Sequence, residues 1–313
     1  MGNKVSIIGA GKVGASIAYT MAVDGTASEI VLIDIDSQRA FGEAMDIRQG
    51  AAYISPANIY SGDYDDAKNS DIVIITCGIS RKPGQTRLDL AKVNTEIIRS
   101  IIPKIVPAAP EATYIIVANP VDILTYTFAK YSGVPANRII GTGTILDTAR
   151  LKAKIAQAFN LNMGNVHAVV LGEHGDTSFT PWSLCTIAGV NIPEFLTKKG
   201  IALEGEYSLE AIEQHVRTSG STIIAAKGAT YYAISLCTNH ISKCVFHGID
   251  TVLPVSSLLQ GEYGISDVCL STQNLISNCG VKQLIESPLH ENELEKLYNS
   301  ANALKKVIKD IGI

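Results

Sequence analysis

The 313-residue chain is predicted to adopt an α/β fold, in which a doubly wound parallel sheet is followed by an α+β domain. Two observations predict this. In the first half, short runs of branched apolar residues alternate with stretches of helical spacing, as in strands that are buried on both faces of a parallel sheet. In the second half, long helical patterns flank strand-like segments at Val252-Leu253 and 267–270, which favour an antiparallel sheet.

The composition is that of a globular protein and excludes several functional classes. Apolar residues make up 46% of the chain and charged residues 18%. A net charge of -4 and the lack of a basic run argue against a nucleic-acid partner. The six cysteines form no C-x-x-C pair, so we expect neither disulfides nor a metal site. Free thiols fit a reducing compartment, so we expect a cytoplasmic protein. No apolar run is long enough for a membrane span, and no signal peptide is expected.

The first strand, Lys4 to Ile8, leads directly into the turn Gly9-Ala10-Gly11-Lys12-Val13-Gly14, and a helical stretch follows. Strand, glycine turn and helix together are the context that a Rossmann dinucleotide fingerprint requires. Gly9 permits the tight turn, Gly11 lets the backbone approach a pyrophosphate, and Gly14 lets helix and strand pack closely. Free N–H groups at the helix start favour the anion. The alternative is a glycine turn in an ordinary α/β protein.

A second strand, Glu29 to Ile33, ends in Asp34, which lies 20 residues beyond Gly14. A carboxylate at this position accepts hydrogen bonds from the adenosine ribose and repels a 2′-phosphate. The sequence therefore predicts NAD as the cofactor rather than NADP.

Two further strands, 71–76 and 114–117, end near small or polar residues. Open α/β sheets bind ligands at the carboxyl ends of their strands. The remaining candidate cofactor-binding residues are Val13 in the glycine turn, Gly78 and Ile79 after the first of these strands, and Val117 and Asn119 at the end of the second.

The segment from Ser80 to Arg87 carries three cations and both Pro and Gly, which predicts a loop. A basic loop beside the strand ends is able to close over an anionic substrate, and the alternative is a solvated basic loop. Arg87 is expected just before a long helix over 88–105.

A composition shift at 141–144 predicts a boundary between domains 1–142 and 143–313. Asp147 and Arg150 follow, and on a helix they share one face. One hypothesis is a simple ion pair between them. The other is that Asp147 turns toward a catalytic histidine while the guanidinium of Arg150 binds a substrate carboxylate with two hydrogen bonds.

That histidine is His174, which follows the strand-like Val169-Val170-Leu171 and Gly172. Histidine titrates near neutral pH, so it is able to donate or accept a proton under working conditions. A lone histidine after a strand is more often structural, so its assignment depends on the surrounding motifs.

Those motifs resemble the L-lactate/malate dehydrogenase family along nearly the whole chain. The matching stretches are Gly9-Ala10-Gly11-x-x-Gly14, Asp34, Lys82-Pro83-Gly84-x-Thr86-Arg87-Leu88-Asp89-Leu90, Ala118-Asn119-Pro120-Val121-Asp122, Leu146-Asp147-x-Ala149-Arg150 and Gly172-Glu173-His174-Gly175-Asp176.

The resemblance implies a role for each polar site residue. His174 would exchange a proton with the substrate oxygen, Asp147 would orient its imidazole, and Arg87 would polarise the carbonyl. Arg150 would anchor the substrate carboxylate. Asn119 would contact substrate and cofactor, and Thr230 would line the pocket. A homotetramer or homodimer is also implied.

The resemblance leaves the substrate open. Arg81 matches a position where malate dehydrogenases carry Arg and lactate dehydrogenases carry Gln, so it favours malate and oxaloacetate. Glu173 and Thr230 are of the lactate type. His167 matches a fructose 1,6-bisphosphate-binding position of some bacterial lactate dehydrogenases, whereas Lys152 replaces the usual Arg.

We therefore expect an NAD-dependent L-2-hydroxy-acid dehydrogenase with malate favoured, and L-lactate dehydrogenase as the alternative. A non-catalytic NAD-binding protein is a more distant alternative, because binding alone would not require the four polar residues His174, Asp147, Arg150 and Arg87 together.

Overall fold

The computed structural model describes residues 3–80, 84 and 86–313. These residues form twelve strands, which are β1 (Lys4–Ile8), β2 (Glu29–Ile33), β3 (Asn58–Ser61), β4 (Ile72–Ile75), β5 (Thr113–Ile116), β6 (Ile139–Gly141), β7 (Val166–His167), β8 (Thr186–Ile187), β9 (Val190–Asn191), β10 (Thr251–Gln260), β11 (Ser266–Ser277) and β12 (Gly280–Ile285). The helices are α1 (Lys12–Asp24), α2 (Ser37–Gln49), α3 (Arg87–Ala108), α4 (Val121–Ser132), α5 (Ile145–Ala158), α6 (Ile192–Lys198), α7 (Leu209–Lys227), α8 (Tyr232–His247) and α9 (Glu291–Ile311).

The predicted Rossmann sheet is present. Six parallel strands lie in the order β3-β2-β1-β4-β5-β6, so the order reverses between β1 and β4. Ligands of such sheets bind in the crevice at this reversal, beyond the carboxyl ends of the strands. The central strands are entirely buried because helices cover both faces, which explains their uninterrupted apolar sequences.

The antiparallel strands of the second half continue this same sheet instead of forming one of their own. β10 pairs with β6 at Ser256 and Gly141, and β11 and β12 extend the sheet to nine strands. A small separate sheet contains β7, β8 and β9. The shared sheet places the start of α5, which follows β6 closely, beside the segment that carries His174.

The strand predicted at Val169-Val170-Leu171 is not a regular strand, which corrects the sequence-based expectation. Its side chains are buried, as predicted. However, the Val170 N–H donates to Thr148 Oγ1 at 2.9 Å, and the Val170 carbonyl accepts from Thr144 Oγ1 at 2.6 Å. Side chains of the α5 region thus satisfy this backbone, and among the described residues Leu171 and Gly172 form isolated bridges, to Phe179 and Ser271.

The glycine turn is shaped by close packing under α1. Gly9 has φ 106°, in the region that favours glycine. A Cβ at Gly14 would overlap the carbonyl oxygen of Gly9, whereas a Cβ at Gly11 would meet no atom of the chain within 4 Å. Gly14 therefore allows the helix to approach the strand, and Gly11 leaves open space above the turn.

No helix among the described residues is both long and apolar enough to cross a membrane.

We predict that Gly14→Ala lowers the free energy of unfolding by about 1–3 kcal/mol, because the added methyl group overpacks the turn. Urea denaturation measures the change. Gly11→Ala is the matched control, since its methyl group enters open space. Equal stability of the two variants would contradict the packing role of Gly14.

Candidate active site

The loop that carries His174 is held by three separate parts of the fold. The Gly172 N–H donates to the Ser271 carbonyl of β11 at 3.0 Å, and the Glu173 N–H donates to Ser300 Oγ of α9 at 2.7 Å. The His174 N–H donates to Asp122 Oδ2 of α4 at 2.8 Å. Successive backbone groups are thus fixed to different elements, so the position of the imidazole is well defined.

The imidazole of His174 pairs with the carboxylate of Asp147 on α5. Nδ1 lies 2.5 Å from Asp147 Oδ2, and Asp147 is 5% exposed. The negative charge of Asp147 raises the pKa of His174 to about 9, against the opposing effect of burial. Burial acts to raise the pKa of Asp147, but the charges and hydrogen bonds of His174 and Arg150 outweigh it and lower that pKa.

Both hypotheses for Asp147 and Arg150 describe part of the observed geometry. Arg150 Nη1 lies 3.0 Å from Asp147 Oδ1, so the ion pair exists. The other oxygen of Asp147 faces His174, so the carboxylate joins the imidazole and the guanidinium. Arg150 also lines the cavity in front of His174, where it is able to bind an anion.

This cavity has a volume of about 310 Å³. The sequence-predicted residues that it brings together are Val13, Arg87, Val117, Asn119, Asp147, Arg150, His174 and Thr230. The volume suits a small organic acid beside the reactive end of a larger ligand.

Arg87 is the first residue of α3, whereas the sequence placed it just before the helix. Thr86 caps the helix and forms a capping box with Asp89, which sets the helix start one residue earlier than the apolar spacing indicates. The Arg87 guanidinium pairs with Asp176 through both nitrogens, with Nη2 2.8 Å from Oδ1. Arg81, the basis of the malate prediction, lies outside the described residues.

A second cavity, of about 530 Å³, lies along the carboxyl ends of β1, β2 and β4. Gly9, Gly11, Asp34, Gly78 and Ile79 line it. Asp34 accepts hydrogen bonds from the Ala10 N–H at 2.6 Å and from the Asp36 N–H at 2.9 Å, which fixes its carboxylate at the cavity edge.

The residues at the glycine turn fit a dinucleotide. Gly11 is the N-cap of α1, and no side chain of the described residues caps this helix there, so its first N–H groups are available to an anion. The empty space beside Gly11 admits a pyrophosphate, and Asp34 is positioned for ribose hydroxyls. Within the described chain, no cluster of three or more His, Cys, Asp or Glu has the geometry of a metal site.

Sequence reasoning did not assign roles to several residues at the site. Arg217 of α7 lines the cavity and donates to the Ser178 carbonyl at 3.3 Å. Asn94 of α3 accepts the Ile79 N–H and donates to the Asn119 carbonyl, which connects the two cavities. No local pattern marks Arg217 or Asn94, because their partners lie far away in the sequence. Asp122 and Asp176 do lie within recognised motifs.

We predict that Asp147→Asn lowers the pKa of His174 by about 1–3 units, because the neighbouring negative charge is lost while the burial remains. NMR titration of the ¹³C-labelled imidazole measures this pKa. The signal of His174 is assigned as the one that is missing in His174→Asn. Asp176→Asn is the control, since that carboxylate pairs with Arg87. An unchanged midpoint in Asp147→Asn would rule out the charge of Asp147 as the cause.

Comparison with known proteins agrees with this geometry. Residues 3–141 match the family model described as lactate/malate dehydrogenase, NAD binding domain, and residues 144–312 match the lactate/malate dehydrogenase, alpha/beta C-terminal domain. The chain is 42% identical over 311 residues to an L-lactate dehydrogenase of Thermoanaerobacterium saccharolyticum, covering 99% of this chain and 100% of that protein. It is 44% identical over 303 residues to an L-lactate dehydrogenase of Clostridium perfringens, covering 97% of this chain and 95% of that protein.

Solved structures show the same similarity. A lactate dehydrogenase named MGS-M5, from a deep-sea metagenome library of the Medee basin, superposes with a TM-score of 0.95 at 38% identity over 100% of both chains. The minor L-lactate dehydrogenase of Enterococcus mundtii, solved in a ligands-bound form, gives a TM-score of 0.95 at 38% identity over 99% of both chains. By its fold, its motifs and these matches, the chain belongs to the lactate/malate dehydrogenase family.

Proposed function

We propose that this NAD-dependent enzyme interconverts pyruvate and L-lactate. The observation that carries the reaction class is the contact of Asp147 with both His174 and Arg150 at the wall of one small cavity. Thr230 in the same cavity and the L-lactate dehydrogenase names of the relatives support the substrate. This proposal replaces the malate preference that Arg81 alone suggests.

His174 is suited to move the proton at the substrate oxygen. Because Nδ1 is occupied by Asp147, Nε2 is the ring nitrogen available to the cavity. With a pKa near 9, the free enzyme carries the protonated imidazole that reduction of a keto group requires. When bound, the cofactor would accept a hydride as NAD or donate one as NADH.

The two arginines act at different ends of the substrate. Arg150 is only 14% exposed and is held by Asp147, so it is a rigid anchor for the carboxylate. Arg87 has an exposed side chain paired with Asp176, so it must exchange this partner for the developing oxyanion. Arg87 thus contributes mainly to the transition state, and Arg150 to binding.

We predict that His174→Asn lowers the kcat of pyruvate reduction by about 10²–10⁴-fold, because the proton donor is lost. NADH binding, measured by fluorescence, should be retained. His167→Asn is the control, since this exposed histidine lies on β7, outside the residues lining the cavity. A His174→Asn variant with the wild-type kcat would disprove the mechanism, and NADH binding without turnover in the wild type would favour a non-catalytic protein.

Oxaloacetate is the second candidate substrate, because of Arg81. A charge pair at about 4 Å with an effective dielectric near 20 contributes roughly 4 kcal/mol before desolvation. Desolvation of both ions removes much of this and leaves ~2–3 kcal/mol, or roughly 30- to 150-fold discrimination. If the charge of Arg81 acts on the substrate, oxaloacetate is therefore preferred over pyruvate.

We predict a higher kcat/KM for pyruvate than for oxaloacetate, with NADH as the second substrate. Arg81→Gln should change the pyruvate value by less than about threefold, because pyruvate has no second carboxylate with which this charge could pair. Lys82→Gln is a matched control for the loss of one loop charge. The pyruvate assignment would be overturned if kcat/KM for oxaloacetate exceeded that for pyruvate by about tenfold, or 1.4 kcal/mol, in the wild type but not in Arg81→Gln.

We propose a cytoplasmic enzyme with a division between residues 142 and 143. A homodimer or homotetramer is supported by a groove between α1, α2 and α8, where Tyr19, Tyr232 and Leu236 are each more than half exposed. Because Lys152 stands where the resemblance expects Arg beside His167, regulation by fructose 1,6-bisphosphate is not part of the proposal.

A further inference from the structure

A further arginine lines the cavity in front of His174, and the mechanism above does not use it. Arg217 lies on α7, and its side chain is 27% exposed, against 14% for Arg150 and 61% for Arg87. It is therefore more open to solvent than the proposed carboxylate anchor. Because other residues fill the proposed roles of proton donor, anchor and polarising group, Arg217 is available for another role.

Helix α7 holds Arg217 next to the helix that carries the anchor. Val216, the residue before Arg217, belongs to the same buried cluster as Leu151, the residue after Arg150. Gly220 also lines the cavity and follows Arg217 by three residues, so the two share one face of α7. Arg217 and Arg150 are thus neighbours on the cavity wall, although they belong to different helices.

Gly220 keeps this wall free of a side chain beside Arg150. A Cβ at Gly220 would have the guanidinium atoms of Arg150 as its nearest neighbours, at 3.5 to 4.0 Å. A larger side chain would therefore cover part of that guanidinium. Because glycine leaves it bare, an anion that moves from Arg217 to Arg150 meets no side chain at this position.

The guanidinium of Arg217 is only partly used within the protein. Among the described residues, its hydrogen bonds both start from Nη1, to the Ser178 carbonyl and to Glu213 Oε2, and both are long at 3.3 Å. The other carboxylate oxygen of Glu213 accepts the Trp182 Nε1–H at 2.7 Å, which holds this acid in place. Within the described chain, Nη2 and Nε thus remain as donors, and such an edge of a guanidinium matches a carboxylate.

The charges of the cavity favour an additional anion near Arg217. The described lining residues include three arginines and two aspartates, and both aspartates are already paired with cationic groups of the site. The charge of Arg217 is offset by Glu213 through one long contact. A cation at the outer wall of a cavity raises the local concentration of anions, which here include the substrate.

We propose that Arg217 is an outer carboxylate subsite, which binds the carboxylate of a 2-keto or 2-hydroxy acid at the cavity mouth before it reaches Arg150. Nη2 and Nε of Arg217 make the first contact, and the carboxylate then moves inward to the less exposed guanidinium. Its desolvation proceeds in two steps, with a counter-charge present at each. The transfer to Arg150 rests on the proposed function, whereas binding of an anion at Arg217 does not depend on turnover.

Acetate is the probe for this subsite, because it has the carboxylate of the substrate but no keto group. In NMR spectra of the ¹⁵N-labelled protein, the Nε–H signal of Arg217 is assigned as the one that is missing in Arg217→Lys. This signal should shift and reach saturation as acetate is added. Sodium chloride at the same ionic strength is the control for screening, and an equal shift with chloride would overturn carboxylate binding.

Glu213→Gln tests the subsite in the opposite direction. The amide oxygen of Gln still accepts the Trp182 N–H, but the negative charge that competes with the ligand is gone. Acetate should therefore bind about two- to fivefold more tightly at Arg217, as expected from the loss of a partly exposed ion pair. The same NMR titration measures this change.

Arg217→Gln tests the role in substrate capture. At low ionic strength, kcat/KM for pyruvate should fall by about three- to tenfold, because a charge at the mouth acts on association. The kcat should change by less than about twofold. The difference from the wild type should shrink toward about 1 M salt, where the screening length is about 3 Å.

Arg138→Gln is the matched control for the loss of one arginine. The Arg138 side chain is 30% exposed and is paired with Glu111, but it lies at the amino end of β6, away from the cavity. We expect this variant to change neither kinetic constant. A kcat/KM for Arg217→Gln equal to that of Arg138→Gln would contradict the role in capture.

An Arg217 signal that does not respond to acetate in the wild type would overturn the subsite itself. If Arg217→Gln does not fold, the wild-type titration and Glu213→Gln decide, and an unchanged acetate affinity in Glu213→Gln would then count against the proposal. A wild type that reduces no 2-keto acid would refute the proposed function alone, because the acetate titration still tests Arg217.

Discussion

The pairing of the imidazole of His174 with the buried carboxylate of Asp147 is the interaction on which the site depends. The two residues lie far apart in the sequence. Each charge needs the other, since a buried charge without a counter-charge is strongly unfavourable. The negative charge of Asp147 raises the pKa of His174 to about 9, and the same carboxylate holds Arg150 at the cavity wall. His174 and Arg150, the proposed proton donor and carboxylate anchor, are therefore parts of one electrostatic unit.

The fold creates this unit by joining its two halves through one sheet. The end of β6, a few residues before α5, pairs with β10, and β11 fixes the backbone at Gly172. Asp147 near the start of α5 and His174 in the following loop are thus brought together beside the carboxyl ends of the parallel strands. Rigid elements support both residues, which suits proton transfer because small displacements are costly to catalysis.

Arg87 contrasts with this rigid arrangement. Its exposed ion pair with Asp176 is worth little in stability, so exchange for a substrate oxygen costs little. The proposed carboxylate anchor, Arg150, is therefore buried, whereas the proposed polarising group, Arg87, is exposed.

The amino-acid sequence by itself determined the parallel strands, the glycine turn, Asp34 and the family motifs, because these depend on local periodicity and on residue types at fixed spacing. It also predicted the candidate residues that line the cavity. Only the tertiary structure decided that the antiparallel strands extend the first sheet, that Val169 to Leu171 is held by threonine side chains, and that Asp122, Asn94 and Arg217 support the site. Those features are long-range contacts, often between single side chains and backbone groups, and no local pattern records which partners folding will bring together.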